Sequence, residues 1–540
     1  MLLPGFLYIS SIVGLFLLLF NLIAKERSSS KFLLLLIIFS GLLIWSAIFS
    51  LSNNIGVYGI DASSEYYVIK KTLMNGHIRN IEDAFTGCLS ISLTIPALLL
   101  ITNMKFIHFY NSINPILILM HVIIFYCITR KLFDRKSLSL IAMIFFLANY
   151  ALIQFFPAML RSVLSYIILF NLYLVILGSK NHEKNFILTS VLLSIGVIVS
   201  YYSVAVPSTI ILLLTSLFKI KEERKNDLLI LSITMSAFAF IYLFLYAQAA
   251  GVHIVNAFKM LTFSYEERYS TKVSLVEVRY QVEDPLKIIG QNLKIVIFTT
   301  NHFLAFLGYL LLIKRKLMLT PHTAFFDLSS AFLLGFLVLL PSSFIWGIIN
   351  YSYYYHWVII ILASSLIFKA YNLKEKTITI LFKTFSLLLV MINLLNTTFI
   401  TDYMFNLSNS YVVGTILNND LNPYTMRAPD YYSLVFLVRY LSSNINAILG
   451  DAYSIGHVNY IAAEYYPMLD KAAIVTIYYS KLLNNPLIIK GIIIYLSKFD
   501  AHKESLYLPE PGYGYGIPFN INSLKISIIY NSGAQILIGY

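Results

Sequence analysis

The chain is poor in cysteine and in charge, and each shortage removes a class of protein. Cys88 and Cys127 are the only cysteines in 540 residues, and the second falls inside an apolar run. Neither a disulfide framework nor a cysteine-built zinc site is available. Asp, Glu, Lys and Arg together make up 12% of the residues against 58% hydrophobic, and the mean hydropathy is +0.76. A chain of that makeup does not stay in water with its apolar segments exposed, so it reads as a multi-pass membrane protein. Also missing are a Gly-rich Walker loop, a His-Glu-x-x-His zinc pair and a Gly-x-Ser-x-Gly elbow. There is no repeat at a fixed period, no low-complexity tract and no Pro/Gly linker. The N-terminus has neither a basic leader nor a small-residue cleavage site, so Phe6 to Phe20 reads as a retained first helix.

What is present is a series of apolar runs separated by basic loops. Runs long enough to approach a bilayer crossing fall at roughly 5–24, 32–50, 112–133, 137–156, 160–178, 186–201, 204–218, 228–247, 293–313, 324–347, 356–371 and 378–398. The pair from Asn185 to Phe218 is interrupted at Ser200-Tyr201-Tyr202-Ser203, either as two short spans or as one kinked span. The formal charge of +13 is distributed as short clusters: Lys25/Arg27/Lys31, Arg130/Lys131/Arg135/Lys136, Lys180/Lys184, Lys219/Lys221/Arg224/Lys225, Lys314/Arg315/Lys316 and Lys369/Lys374/Lys376. Each cluster sits at an alternate connection. That is a topology signal rather than a groove for nucleic acid, and no nucleic-acid partner is expected. The positive-inside rule puts these loops in the cytoplasm, and both termini and the 51–88 loop outside a plasma membrane. Leu89 to Thr102 is apolar but short and contains Pro96. It is read as a half-buried or re-entrant segment beside the loop, because a full span there would invert every later assignment.

The 51–88 loop carries the chemistry. Gly59-Ile60-Asp61 opens a helix-compatible run that ends at Asn75-Gly76, with Asp61 read as N-cap and Gly76 as a left-handed C-cap. Ala62, Tyr66, Ile69 and Leu73 recur at helical spacing for packing, while Asp61 and Glu65, four apart, share another side that should face water. Asp61 has two compatible readings, a cap and a general base. Glu65 is a solvated or ion-paired partner. Glu82-Asp83 is either a solvated pair or a site for an acceptor or a divalent metal, Mg²⁺ or Mn²⁺. Arg161 begins an apolar span on the outer side, where topology does not require a cation: it either snorkels to a headgroup or grips a lipid phosphate. Tyr202, its neighbour Tyr201 and the run Tyr353-Tyr354-Tyr355-His356-Trp357 are an interfacial belt or a sugar-stacking surface, with His356 structural or substrate-binding. Beyond Phe399 the chain is richer in Asn, Asp, Tyr, Gly and Pro. Ile445 to Leu449, Ala473 to Tyr478 and Leu524 to Tyr530 fit strands, Tyr431 to Leu441 has helical spacing, and the apolar Pro486 to Leu496 is left open.

Several of these stretches carry a resemblance. Gly59-Ile60-Asp61 with Glu65-Tyr66-Tyr67, Leu89-Ser90-Ile91-Ser92 with Pro96, Pro157 four residues before Arg161, Ser200-Tyr201-Tyr202-Ser203 and the ending Ile529-Tyr530-Asn531-Ser532-Gly533-Ala534-Gln535-Ile536 resemble a family of archaeal multi-pass membrane proteins. That family is similar to the GT-C superfamily of membrane glycosyltransferases. The resemblance implies a polyprenyl-phosphate-linked sugar donor for hexosyl or pentosyl transfer, and a catalytic Asp at the position of Asp61. Arg161 matches a Pro-x-x-x-Arg motif usually followed by Gln or Glu, where this chain has Ser162. Tyr201 stands where the family has histidine. The expected architecture is an all-α polytopic membrane protein of about twelve transmembrane helices, GT-C-like, over residues 1–398, with a small α+β extracytoplasmic C-terminal domain over 399–540. A flippase or transporter of lipid-linked sugars and a non-catalytic membrane assembly protein remain as alternatives, and the acceptor, glycan, lipid or protein, stays open.

Overall fold

The computed structural model describes residues 2–25, 30–52, 56–78, 85–133, 136–148, 159–178, 184–217, 222–248, 252, 285–313, 360–364, 376–405, 430–435, 447–450, 454–465, 473–476, 493–496, 505–508, 517–520, 526–531 and 535–539. Its described part is dominated by helices: α1 (Leu2–Lys25), α2 (Ser30–Ser52), α3 (Ile60–Asn75), α4 (Ile95–Thr102), α5 (Phe106–Leu132), α6 (Lys136–Leu147), α7 (Leu160–Gly178), α8 (Lys184–Ser200), α9 (Tyr202–Leu217) and α10 (Glu222–Ile241). Two further long helices span Pro285–Ile313 and Lys376–Thr397. Among the described residues, 7 helices are long and apolar enough to cross a membrane. The chain is therefore a polytopic membrane protein. The spans expected at 324–347 and 356–371 lie wholly or largely outside the described residues.

Side-chain contacts show how the helix ends sort. Ser52 at the end of α2 donates to Asn111 near the start of α5 at 2.6 Å, and Tyr66 of α3 stacks on Phe106 at 4.3 Å. Ser165 of α7 donates to the Val197 carbonyl of α8 at 3.5 Å, as antiparallel neighbours do. Tyr242, just beyond α10, donates to the Gly87 carbonyl at 2.7 Å. These contacts gather Ser52, α3, Phe106, the start of α7 and the end of α8 at one end of the bundle. Lys25, Lys31, Arg130, Lys131 and Lys136 mark the opposite helix ends. The interruption after Ser200 is a reversal: α8 and α9 meet at Tyr201 and both pack against α10.

Two local features follow from residue chemistry. The segment before α4 takes a π-helical turn, Ser90–Thr94, whose Ile95 N–H reaches back to the Ser90 carbonyl. Pro96 has no N–H to continue an α-helical ladder, so the wider turn is absorbed just ahead of it. Together the turn and α4 run from Ser90 to Thr102. That is about 20 Å of helix, short of the ~30 Å hydrocarbon thickness. Its flanks, Gly87 and Phe106, both lie at the α3 end. α6 is buried on every side from Leu138 to Leu147, as a helix apolar all round must be.

Near the C-terminus the described residues include seven strands: β1 (Ala447–Gly450), β2 (Ala473–Thr476), β3 (Ile493–Leu496), β4 (Ser505–Leu508), β5 (Ile517–Asn520), β6 (Ile526–Asn531) and β7 (Gln535–Gly539). Five form a sheet in the order β2-β1-β3-β7-β6, while β4 and β5 pair separately. β1 and β2 run parallel, so a crossover must join them, and the helix Ser454–Glu464 occupies it. That helix was not anticipated from the sequence. The apolar stretch Pro486 to Leu496, left open above, ends in β3.

Candidate functional site

α3 is built to present two carboxylates inward. Gly59 precedes it with φ 93° and ψ 155°, a conformation that side-chain-bearing residues avoid. The Gly59 carbonyl accepts both the Ser63 N–H at 3.3 Å and the Ser63 hydroxyl at 3.1 Å. Asp61 is thus not the N-cap. Gly59 holds that position with no side-chain bond, and Asp61 sits in the first turn, where the helix dipole favours a negative charge. The other end matches expectation: Gly76, at φ 71°, closes the helix on the Thr72 carbonyl. Ala62, Tyr66 and Ile69 are buried, which fits their packing role.

The expectation that Asp61 and Glu65 face water fails for Glu65, which is fully buried, and holds only in part for Asp61. Both turn onto Arg161. Glu65 Oε1 accepts from Arg161 Nη1 at 2.6 Å, and Asp61 Oδ2 accepts from Nη2 at 3.1 Å. The side chains of Glu65 and Arg161 are 0% and 6% exposed, and that of Asp61 is 29% exposed. Glu65 also accepts the Leu160 N–H at 2.8 Å and the Arg161 N–H at 3.4 Å. Those two groups belong to the first turn of α7, which has no intrahelical partner to offer them, so Glu65 caps α7 from another helix. Burial pushes its carboxyl up to about 7. The Arg161 guanidinium and the two backbone N–H groups hold it lower than burial alone would, while Asp61 adds to the rise.

The apolar walls of this cluster are aromatic. The Arg161 guanidinium carbon lies 4.5 Å from the Phe85 ring centre and 4.8 Å from that of Tyr201, a cation–π arrangement. Arg161 therefore does not snorkel; it is enclosed. Of the two tyrosines at the reversal between α8 and α9, Tyr201 is the one stacked on the guanidinium. Tyr202 lies edge-on to Tyr201 at 5.2 Å and is half-buried. The Ser90 hydroxyl donates to the Ser200 carbonyl at 2.8 Å, tying the short Ser90–Thr102 segment to the same reversal.

On its far side α3 is held by the C-terminal region. Tyr66 donates to the Glu464 carboxylate, Asn459 donates to Ser64 at 3.0 Å, and Tyr460 packs 5.2 Å from the Tyr66 ring. Burial and the adjacent Glu464 charge push the Tyr66 hydroxyl well above its usual range. So the helix that carries Asp61 and Glu65 is clamped between α5, α7 and the helix Ser454–Glu464.

Glu82, Asp83 and His356 lie outside the described residues. Among the described residues no three His, Cys, Asp or Glu side chains converge as a metal would require. Asp61 and Glu65 do not fit a divalent cation either, because the oxygens they direct inward meet a guanidinium. Phe85 and the Tyr66–Glu464 bond escaped the sequence reading: an aromatic in a loop and a contact across 398 residues leave no periodic signal.

Fold and site together define a polytopic helical membrane protein with two acidic side chains of one helix focused on an arginine at the start of another. No protein-family model matches the chain, and no curated protein matches it. Among solved structures, the crystal structure of ArnT from Cupriavidus metallidurans in the apo state is similar over 95% of this chain and 98% of that one, with a TM-score of 0.48 and 10% identity. A likeness of that degree carries no chemistry from one protein to the other.

Proposed function

We propose that the protein is a membrane glycosyltransferase that moves a sugar from a polyprenyl-phosphate-linked donor to an acceptor at the outer face of the membrane. The observation that supports it most is that Asp61 and Arg161, 100 residues apart in the chain, meet in a largely dehydrated setting at the helix ends opposite the basic clusters. This gives a base and an anion grip within one substrate's reach, and the positive-inside rule would put them outside the cell. The family resemblance points to the same two residues.

In this reading the acceptor hydroxyl loses its proton to Asp61, and its oxygen bonds to the anomeric carbon from the side opposite the phosphate. The bond from that carbon to the phosphate oxygen breaks, and its electron pair leaves on the lipid phosphate. Arg161 stabilises the departing anion where few waters compete. A phosphate leaves as a stable anion and needs no protonating acid. Glu65 contributes by holding Arg161 and α7, with Tyr201 and Tyr202 flanking the sugar path. Residues 1–398 form the membrane domain, and 399–540 an outer α+β domain whose helix Ser454–Glu464 supports α3.

Full-length protein in liposomes, given a panel of radiolabelled polyprenyl-phosphate hexoses and pentoses, tests the proposal. Consumption of one donor, with label appearing in acceptor or as free sugar, is the expected result. Movement of label between leaflets with the donor intact would replace the transferase reading with that of a flippase.

A further inference from the structure

Arg161 is already occupied, and its two acidic partners are held very differently. Glu65 is wholly buried and fixed by three bonds, one from the guanidinium and two from the α7 backbone. Asp61 is 29% exposed, and among the described residues its side chain bonds to Arg161 alone. Nη1 faces Glu65, Nη2 faces Asp61, and aromatic rings lie close to the guanidinium carbon. Asp61 is the partly exposed one of the two partners, so a phosphate that takes the solvent-facing position on Nη2 takes the place that Asp61 holds there.

We infer that Asp61 and the donor's phosphate compete for Arg161, so that arrival of the phosphate releases Asp61 from its ion pair and leaves it free to take the acceptor's proton. Glu65 is the fixed partner, a positioning residue that keeps the guanidinium in place while the other partner exchanges. The inference rests on the glycosyl-transfer reading and adds an order of events to it: the base is occupied until the donor is bound. A site so arranged does not activate an acceptor hydroxyl, or water, in the absence of donor. The chemistry that Arg161 recognises is a phosphate anion, and either a lipid or a free phosphate could supply it.

The test is equilibrium binding of farnesyl phosphate, and separately of inorganic phosphate, to the full-length protein in detergent. Losing the competitor should tighten farnesyl phosphate binding by roughly two- to fivefold in Asp61→Asn, the factor expected for a half-exposed ion pair. Asp61→Ser, which also removes the carboxylate, should do the same. Glu464→Gln neutralises a carboxylate that is bonded to Tyr66 rather than to Arg161, and should change binding less than twofold, about the size of a general field effect. Arg161→Gln should abolish binding. Unchanged or weaker binding in both Asp61 variants, or an equal gain in Glu464→Gln, overturns the exchange while leaving the transferase reading intact. Failure of the wild type to bind farnesyl phosphate overturns both. Farnesyl phosphate binding at least about tenfold tighter than inorganic phosphate supports a lipid source, since the chain adds apolar burial, and equal binding overturns it.

Discussion

The unequal hold on Arg161 makes a quantitative prediction about stability. Replacing Glu65 with alanine leaves a guanidinium that is 6% exposed with a single partner, and leaves the Leu160 and Arg161 N–H groups unsatisfied at the buried start of α7. Breaking a buried pair by removing one partner costs about 3–5 kcal/mol, because the remaining charge stays desolvated. Replacing Asp61 with alanine removes a contact to a side chain that is 29% exposed, and exposed or half-exposed pairs contribute about 0.2–1 kcal/mol. The two substitutions sit one helical turn apart and remove similar groups, so the comparison isolates burial. Denaturation of the two variants in mixed micelles, read by tryptophan fluorescence against the wild type, should give a difference of at least about 2 kcal/mol between them. Equal destabilisation by the two, or a neutral Glu65→Ala, would refute the reasoning.

Three further outcomes follow. The Glu65 carboxyl binds its proton more readily in the folded protein, at about 7, than in the unfolded chain, so its contribution to stability is fullest at acid pH and is lost as pH rises through about 7. The total is on the order of 3 kcal/mol, and Glu65→Gln should flatten the stability profile between about pH 4.5 and pH 7; a slope unchanged in the variant would contradict the assignment. Gly59→Ala forces a side chain into φ 93°, at a cost of about 1–3 kcal/mol, and shifts the start of α3; unchanged stability and phosphate binding would count against the role given to this glycine. Tyr66→Phe removes the bond to Glu464 and should raise protease cleavage near the Ser454–Glu464 helix with the bundle intact, whereas an unaltered digestion pattern would argue against the clamp.

Much of the membrane part was legible because its signals are local. Apolar runs and basic clusters set the helices, Pro96 marked the short segment, and the Asn75-Gly76 pair marked the end of α3. Asp61 and Arg161 stood out for the same reason, since a carboxylate after Gly59 and a cation at the start of an apolar span each contrast with an apolar background. Their orientation was not legible. Helical spacing puts Asp61 and Glu65 on one face, but whether that face meets water or another helix depends on α7, whose first N–H groups need an acceptor. Sequence reading assigned them to water by default. The same limit hid the role of Tyr201, whose contact with Arg161 exists because the chain reverses between α8 and α9. The Ser454–Glu464 helix was missed because it is short and much of its burial comes from α3, far away in the chain.

The most direct measurement is donor turnover by Asp61→Asn beside the wild type in the same liposomes, with thermal stability recorded for both. The account predicts that the variant folds, binds farnesyl phosphate more tightly, and loses turnover by about 10²–10⁴-fold, as removal of a general base does. Turnover at the wild-type rate in a folded Asp61→Asn would contradict it.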